Sequence, residues 1–84
     1  VVTTLPDASG RAWILNIICT DRPGLLYSIS EVLAQYRINL QTARIATLGE
    51  RAEDVFLIDG PVLSDDETLL EVEAKLVEAV APPK

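Results

Sequence analysis

Hydrophobic residues near the start of the chain follow the two-residue period of β-strands. Residues 1–5 are rich in β-branched types, and residues 6–10 combine Pro, Asp and Gly, which favour turns. Residues 11–20 are largely apolar on both faces of the expected strand. One of these faces comprises Trp13, Leu15, Ile17 and Cys19. The pattern predicts a β-hairpin whose second arm is a central strand covered on both sides.

A helical period replaces the strand period in the next segment. Pro23 is tolerated in a first helical turn, and Asp21 could accept hydrogen bonds from the free amides there, so a helix capped by Asp21 is predicted to begin at Pro23. Tyr27 points away from its apolar arc, which spans about 120°. The arc comprises Leu25, Leu26, Ile29, Val32, Leu33 and Tyr36.

Residues 38–48 predict a second long strand with an irregular centre. Its apolar residues before position 41, Ile38 and Leu40, lie in one phase of the alternation, and those after position 42 lie in the other. A β-bulge near Gln41–Thr42 would reconcile the two phases. A turn at residues 49–52 then leads into a strand at residues 53–59, so a second hairpin is predicted.

The end of the chain predicts an acidic helix. Gly60 and Pro61 interrupt the preceding strand, and residues 64–67 read as a capping box with acids at the positive end of the helix dipole. Glu73 lies inside the apolar arc, so it either reaches solvent at an edge or pairs with an arginine of a neighbouring subunit or domain. The buried stripe is predicted to contain Leu69, Val72, Leu76 and Val80, with Leu70 and Val77 beside them.

These elements predict an α+β fold, a four-stranded antiparallel sheet with two helices on one face. From its second strand onward the order is that of a βαββα unit, which usually closes with a fourth strand beside the first. That final strand is missing, and the N-terminal hairpin arm is predicted to occupy its place. The other sheet face is apolar and needs a cover, so a homodimer or a neighbouring domain is expected.

Length and composition narrow the class of protein. The 84 residues, 49% of them hydrophobic, suit one domain over residues 1–84. The chain begins at Val1 and contains no Met, so we expect it to be excised from a larger multidomain enzyme. It has no apolar run long enough for a membrane span or a signal peptide, which favours a cytoplasmic protein with no membrane partner.

Charge and residue types exclude several functions. The net charge is −6, and no basic stripe is present to meet a phosphate backbone, so nucleic acid is not an expected partner. The absence of His and the single Cys19 argue against classical triads, zinc sites and internal disulfides. Glu53 and Asp54 alone supply too few oxygen ligands for a metal. We therefore expect no catalytic residues, no metal site and no cofactor in this chain.

Two groups of residues remain as candidates for ligand binding. At the predicted helix start, Asp21, Arg22, Gly24 and Leu25 combine free amides, the positive dipole end and a residue without Cβ, which suits a carboxylate or phosphate. The alternative is a plain helix start with Asp21 as its cap. On the next strand, the amides of Asn39 and Gln41 can donate and accept, although both residues could equally be ordinary polar positions on a strand.

Three stretches carry a resemblance to a known family: Asp21-Arg22-Pro23-Gly24-Leu25-Leu26, Ile38-Asn39-Leu40 and Ala43-x-Ile45-x-Thr47. They resemble the ACT domain, a ferredoxin-like regulatory βαββαβ module that binds amino acids between paired subunits. Residues 43–56 indicate a narrower group within this family. They are similar to the C-terminal ACT domain of the bacterial bifunctional uridylyltransferase/uridylyl-removing enzymes, which modify the nitrogen-regulatory protein PII.

The resemblance implies a regulatory domain that senses glutamine, and we expect glutamine to bind near Asp21, Arg22, Gly24, Leu25, Asn39 and Gln41. It also implies a parent enzyme with a nucleotidyltransferase domain, an HD phosphohydrolase domain and another ACT domain, with Mg²⁺ as the parent's cofactor and PII as its partner. Two alternatives stay open: a docking or dimerisation module that binds no small molecule, and the ACT domain of another amino-acid-regulated enzyme.

Overall fold

The computed structural model describes residues 1–81, which form four strands and two α-helices. A 3₁₀ turn, Pro61–Ser64, precedes the second helix. In chain order the elements are β1 (Val2–Pro6), β2 (Trp13–Thr20), α1 (Leu25–Gln35), β3 (Asn39–Leu48), β4 (Arg51–Asp59) and α2 (Asp66–Val80). No helix within these residues is both long enough and apolar enough to cross a membrane.

The sheet is antiparallel throughout, with strand order β1-β2-β4-β3. β1 pairs with β2 at the edge position that the N-terminal arm was predicted to fill, with Val2 opposite Ile17. The two central strands are joined in a register that places Leu15 opposite Phe56. The predicted α+β architecture, with the N-terminal strand in place of a C-terminal one, is therefore confirmed.

The hydrophobic core lies between the sheet and the two helices. Leu15 and Ile17 of β2, together with Phe56 and Ile58 of β4, are at most 1% exposed. The helices contribute Leu25, Ile29, Val32, Leu33, Leu69, Val72, Leu76 and Val80. Each predicted helix stripe is thus buried in large part, but Leu26 is 45% exposed because α1 leaves the outer strand β3 largely uncovered. The prediction that Leu70 and Val77 belong to the buried stripe of α2 was wrong: they are 67% and 53% exposed, because they lie beside the arc of that helix that faces the core.

The predicted bulge is present in β3. The pairing register with β4 shifts between Leu40, opposite Ile58, and Thr42, opposite Leu57. A single inserted residue turns every later side chain to the other face of the sheet, which accounts for the change of apolar phase in the sequence. Ile45 and Thr47 consequently lie on the same face as the helices.

The start of α1 differs from its prediction. The helix begins at Leu25, with Gly24 as its N-cap at φ 79°, and no side chain caps it. The prediction that Asp21 caps a helix starting at Pro23 was wrong. A residue in the left-handed region cannot continue a right-handed helix, so Gly24 ends a turn and the helix begins after it.

The start of α2 also lies later than the predicted capping box. Asp65 is the N-cap and Ser64 belongs to the 3₁₀ turn, and the Thr68 hydroxyl donates to Asp65 Oδ2 at 2.5 Å. Asp66 and Glu67 occupy the first turn, where the helix dipole favours acids. Glu73 is half-buried beside β1, and it accepts a hydrogen bond from the Thr4 hydroxyl at 3.2 Å.

Candidate functional site

A cavity of about 220 Å³ lies where the loop after β2, the start of α1 and strands β3 and β4 meet. Its volume is below that of sites for drug-sized ligands and suits a small metabolite. Its wall is lined by Asp21, Arg22, Gly24, Leu25, Leu26, Tyr27, Ile45, Thr47, Ala52 and Asp54.

Residues of the first turn of α1 form one side of this cavity. Gly24 reverses the chain, and the first regular helical bond runs from the Ser28 amide to the Gly24 carbonyl at 3.0 Å. Among the described residues, the Leu26 and Tyr27 amides find no backbone acceptor. Free amides at the positive end of a helix dipole attract a carboxylate or another anion.

Asp54 supplies a buried acidic group on the β4 side. Its side chain is 2% exposed, and its Oδ1 atom has no hydrogen-bond partner among the described residues. Burial, reinforced by the nearby Asp21 carboxylate, raises the pKa of Asp54 above its ordinary value. An acceptor held out of water without a donor is costly, so this site favours a ligand that brings a donor to it.

The loop that carries Asp21 and Arg22 is fixed at both ends. The Asp21 amide donates to the Glu50 carbonyl at 2.7 Å, which ties the loop to the turn between β3 and β4. The Arg22 Nη2 atom donates to the Ala79 carbonyl at 2.5 Å, in the last turn of α2. A cation at a helix C-terminus is favourable. The Nε atom of Arg22 is buried without a partner.

The structure brings together four of the six predicted site residues. Asp21, Arg22, Gly24 and Leu25 line one cavity, whereas the amides of Asn39 and Gln41 lie elsewhere. Asn39 Nδ2 donates to Asp59 at 2.9 Å, and Gln41 Nε2 donates to the other oxygen of the same carboxylate.

The two amides lie too far along the sheet to reach the cavity of their own chain. The part of β3 from Gln41 to Ile45, the nearer of the two β3 residues in the cavity lining, spans roughly 13 Å at about 3.3 Å per residue, which exceeds the reach of either side chain. The hydrogen bonds from Gln41 and then Asn39 lower the pKa of Asp59. The expectation that all six residues form one site within the chain is therefore not met.

Asp54, Ile45 and Thr47 line the cavity but were not predicted as site residues. Asp54 was considered only as a metal ligand beside Glu53. The sequence does contain a sign of its role, because Asp54 lies in the same phase of the strand alternation as the apolar Phe56 and Ile58. A carboxylate in the apolar phase of a central strand indicates a buried charge that needs a partner.

Asp54 makes the free energy of unfolding depend on pH. Because its folded-state pKa lies above the ordinary value of 3.8, its protonated form stabilises the folded state. This contribution is present in full below pH 3.8 and is lost as the pH rises through the raised pKa. We expect Asp54→Asn to remove this pH dependence of the free energy of unfolding, as measured by urea denaturation across a pH series. The same pH profile in both proteins would contradict this.

The arrangement favours binding of a small zwitterion over catalysis. Helix amides on one side suit a carboxylate, and the carboxylates of Asp21 and Asp54 suit an ammonium or amide donor. Within residues 1–81, no three His, Cys, Asp or Glu side chains are placed to hold a metal ion. Burial and the nearby Asp54 raise the pKa of the Cys19 thiol, which disfavours its reactive thiolate.

Sequence comparison finds close relatives among bacterial enzymes. The chain is 52% identical over 75 residues to the bifunctional uridylyltransferase/uridylyl-removing enzymes of Burkholderia mallei, Burkholderia pseudomallei and Burkholderia thailandensis. The match covers 89% of this chain and 9% of each relative. The chain therefore spans about a tenth of the length of these curated relatives.

Structural and family comparisons agree with the fold. An unknown protein from Galdieria sulphuraria matches with a TM-score of 0.71 at 20% identity, over 83% of this chain and 39% of its own. A candidate glycine cleavage system transcriptional repressor matches with a TM-score of 0.63 at 25% identity, and the match covers 81% of this chain and 37% of the repressor chain. The sequence model of the ACT domain matches residues 13–78. The chain therefore belongs to the ACT domain family.

Proposed function

We propose that this chain is the glutamine-sensing ACT domain of a uridylyltransferase/uridylyl-removing enzyme, and that it regulates that enzyme in nitrogen metabolism. One observation carries the proposal: the residues with free helix amides and the buried Asp54, whose Oδ1 atom has no partner among the described residues, line the same small cavity. These two features complement the two charged groups of an amino acid. The 52% identity to enzymes of that name supports the choice of parent.

Glutamine fits the polarity of the cavity better than an acidic amino acid does. Asp21 and Asp54 already place two carboxyl groups at the site, so a second carboxylate on the ligand would be repelled. A neutral amide side chain avoids this repulsion. Glutamine is also the effector that the resemblance to the enzyme family implies.

Regulation requires that glutamine bind two arrangements of the parent enzyme with different affinity. We infer that the parent carries the nucleotidyltransferase and phosphohydrolase domains, a further ACT domain, the Mg²⁺ requirement and the binding of PII. This chain would then be a non-catalytic sensor. Its Arg22 joins the cavity to the last turn of α2, which gives ligand binding a physical link to that helix.

A second copy or a neighbouring ACT domain would complete the cavity along strand β3. That strand is the edge of the sheet, and its ten residues are exposed on both faces. Leu26 and Ile45, which line the cavity, are 45% and 46% exposed. An unpaired strand edge flanked by apolar side chains favours pairing with another chain.

Amide chemical shifts of the ¹⁵N-labelled chain, recorded during a glutamine titration, test the location of the site. We expect the largest shifts at Gly24, Leu26 and Tyr27, because ligand hydrogen bonds would form there. Serine and glutamate serve as controls for ligand identity. Saturable shifts that cluster around Asp59 instead, with none at the start of α1, would contradict this assignment.

A docking module is the second candidate function, because the sheet face opposite the helices carries an apolar surface. A shallow cavity of about 290 Å³ on this face is lined in part by Ile14, Val55 and Leu57, beside Arg44. Val55 of this lining is 38% exposed. Exposed apolar surfaces of this kind mark interfaces in many proteins.

We expect Val55→Asp to separate the two candidate functions. A charge at this position would weaken any association through the open face by about tenfold or more and leave glutamine binding intact. Light scattering across a concentration series measures the association. Leu70→Asp, at a 67% exposed position on α2, is the matched control. If Val55→Asp abolished glutamine binding in a folded chain, the cavity would not be an independent site.

A further inference from the structure

We propose that Asp54 is a specificity-determining residue of the cavity, and that its carboxyl group accepts a hydrogen bond from the amino group of the ligand. This assignment rests on the proposed amino-acid site and adds the chemical group that the site selects. It predicts preference for a ligand with a primary amine over the same molecule without it.

The burial of Asp54 carries the first step of this inference. The side chain is 2% exposed, yet it lines the cavity, so it forms an inner wall rather than part of the rim. Its neighbours on the same face are apolar: Ile17 lies opposite it on β2 and Ile45 lies opposite it on β3. These side chains cannot donate a hydrogen bond.

The absence of a donor for Asp54 Oδ1 carries the second step. Among residues 1–81, the one cationic side chain that lines the cavity is that of Arg22, and its Nη atoms donate to the Ala79 and Pro23 carbonyls. Asp21, whose charge helps to raise the pKa of Asp54, is itself an acid and offers no donor. The described residues therefore leave an acceptor in the wall of the cavity that a ligand nitrogen can satisfy.

The remaining lining explains why the ligand's amino group, rather than its carboxylate, meets Asp54. The carboxylate is drawn to the free amides at the start of α1 and repelled by the two aspartates. The α-amino group lies one carbon away from the carboxylate, so a ligand anchored on the helix presents its amine toward the aspartate side. A charged amine also stabilises the ionised form of Asp54.

Calorimetric titration with glutamine and with glutaramic acid, which is glutamine without its amino group, tests the assignment. The wild-type 84-residue chain should bind glutamine at least about tenfold more tightly. Asp54→Asn should reduce this preference by about tenfold or more. Asp59→Asn, on the same strand but outside the cavity, should keep it. Asp21→Asn tests the other carboxylate of the cavity and should reduce the preference less than Asp54→Asn does. Circular dichroism confirms that each variant is folded.

The outcomes separate this assignment from the proposed function. If glutamine binds and the preference over glutaramic acid survives in folded Asp54→Asn, the role of Asp54 is overturned and the sensor function stands. If Asp21→Asn alone removes the preference, Asp21 is the selecting residue and the assignment is again overturned. If the wild-type chain binds neither compound, the sensor function fails and the role of Asp54 fails with it.

Discussion

Gly24→Val should abolish glutamine binding and lower the free energy of unfolding by about 1–2 kcal/mol. Gly24 is the N-cap of α1 at φ 79°, a conformation that a β-branched residue adopts only under strain. It also lines the cavity beside the free amides, where a valine side chain would exclude a ligand carboxylate. Calorimetry should show at least a hundredfold loss of affinity, and urea denaturation should show the loss of stability.

Gly49→Val is the matched control for this strain. Gly49 has φ 65°, and an added Cβ at either glycine meets no atom within 4 Å. Gly49 lies in the turn between β3 and β4 and does not line the cavity. Both variants should lose a similar amount of stability, but only Gly24→Val should lose binding. Unchanged glutamine affinity in Gly24→Val would contradict the proposed position of the ligand.

Phe56→Ala should lower the free energy of unfolding by about 3–5 kcal/mol. Phe56 is 1% exposed at the centre of β4, opposite Leu15 on one side and Ala43 on the other. Removing its ring leaves a void between the sheet and both helices. Small domains have total stabilities near the lower end of about 5–15 kcal/mol, so the variant should be largely unfolded at modest urea concentrations.

Val55→Ala provides the comparison on the adjacent residue of the same strand. Val55 faces the open side of the sheet and is 38% exposed, so its truncation should cost about 1 kcal/mol or less. Urea denaturation of both variants measures the difference. Equal losses in the two variants would mean that the core does not lie on the helical side of the sheet.

Much of the fold was predictable because the alternation of apolar residues reports which face each strand buries. The bulge at Gln41–Thr42 is the clearest case. Ile38 and Leu40 alternate in one phase and the apolar residues after Thr42 in the other, and an inserted residue accounts for this change. The start of α1 was missed because proline suits a first turn, while the sequence gives no direct sign that Gly24 adopts a left-handed conformation. Leu26 was placed in the core because periodicity cannot show that β3 lies uncovered at the edge.

The site was predicted only in part, for a related reason. Asp21 to Leu25 are neighbours in sequence, so their grouping followed from one loop and one helix start. The polarity of Asn39 and Gln41 suggests a binding role, yet the sequence does not show that the long strand carries them away from the cavity. Asp54 reaches the cavity only through the pairing of β4 with β2 and β3, which depends on tertiary structure.

The central claim is that this ACT domain binds glutamine in the cavity at the start of α1. Calorimetric titration of the wild-type chain with glutamine tests it most directly, with glutamate and serine as controls and with the oligomeric state fixed by light scattering. Saturable heat with glutamine alone is the predicted result. A folded chain that shows no saturable heat with glutamine, as a monomer or as a dimer, would contradict the claim and favour the docking function.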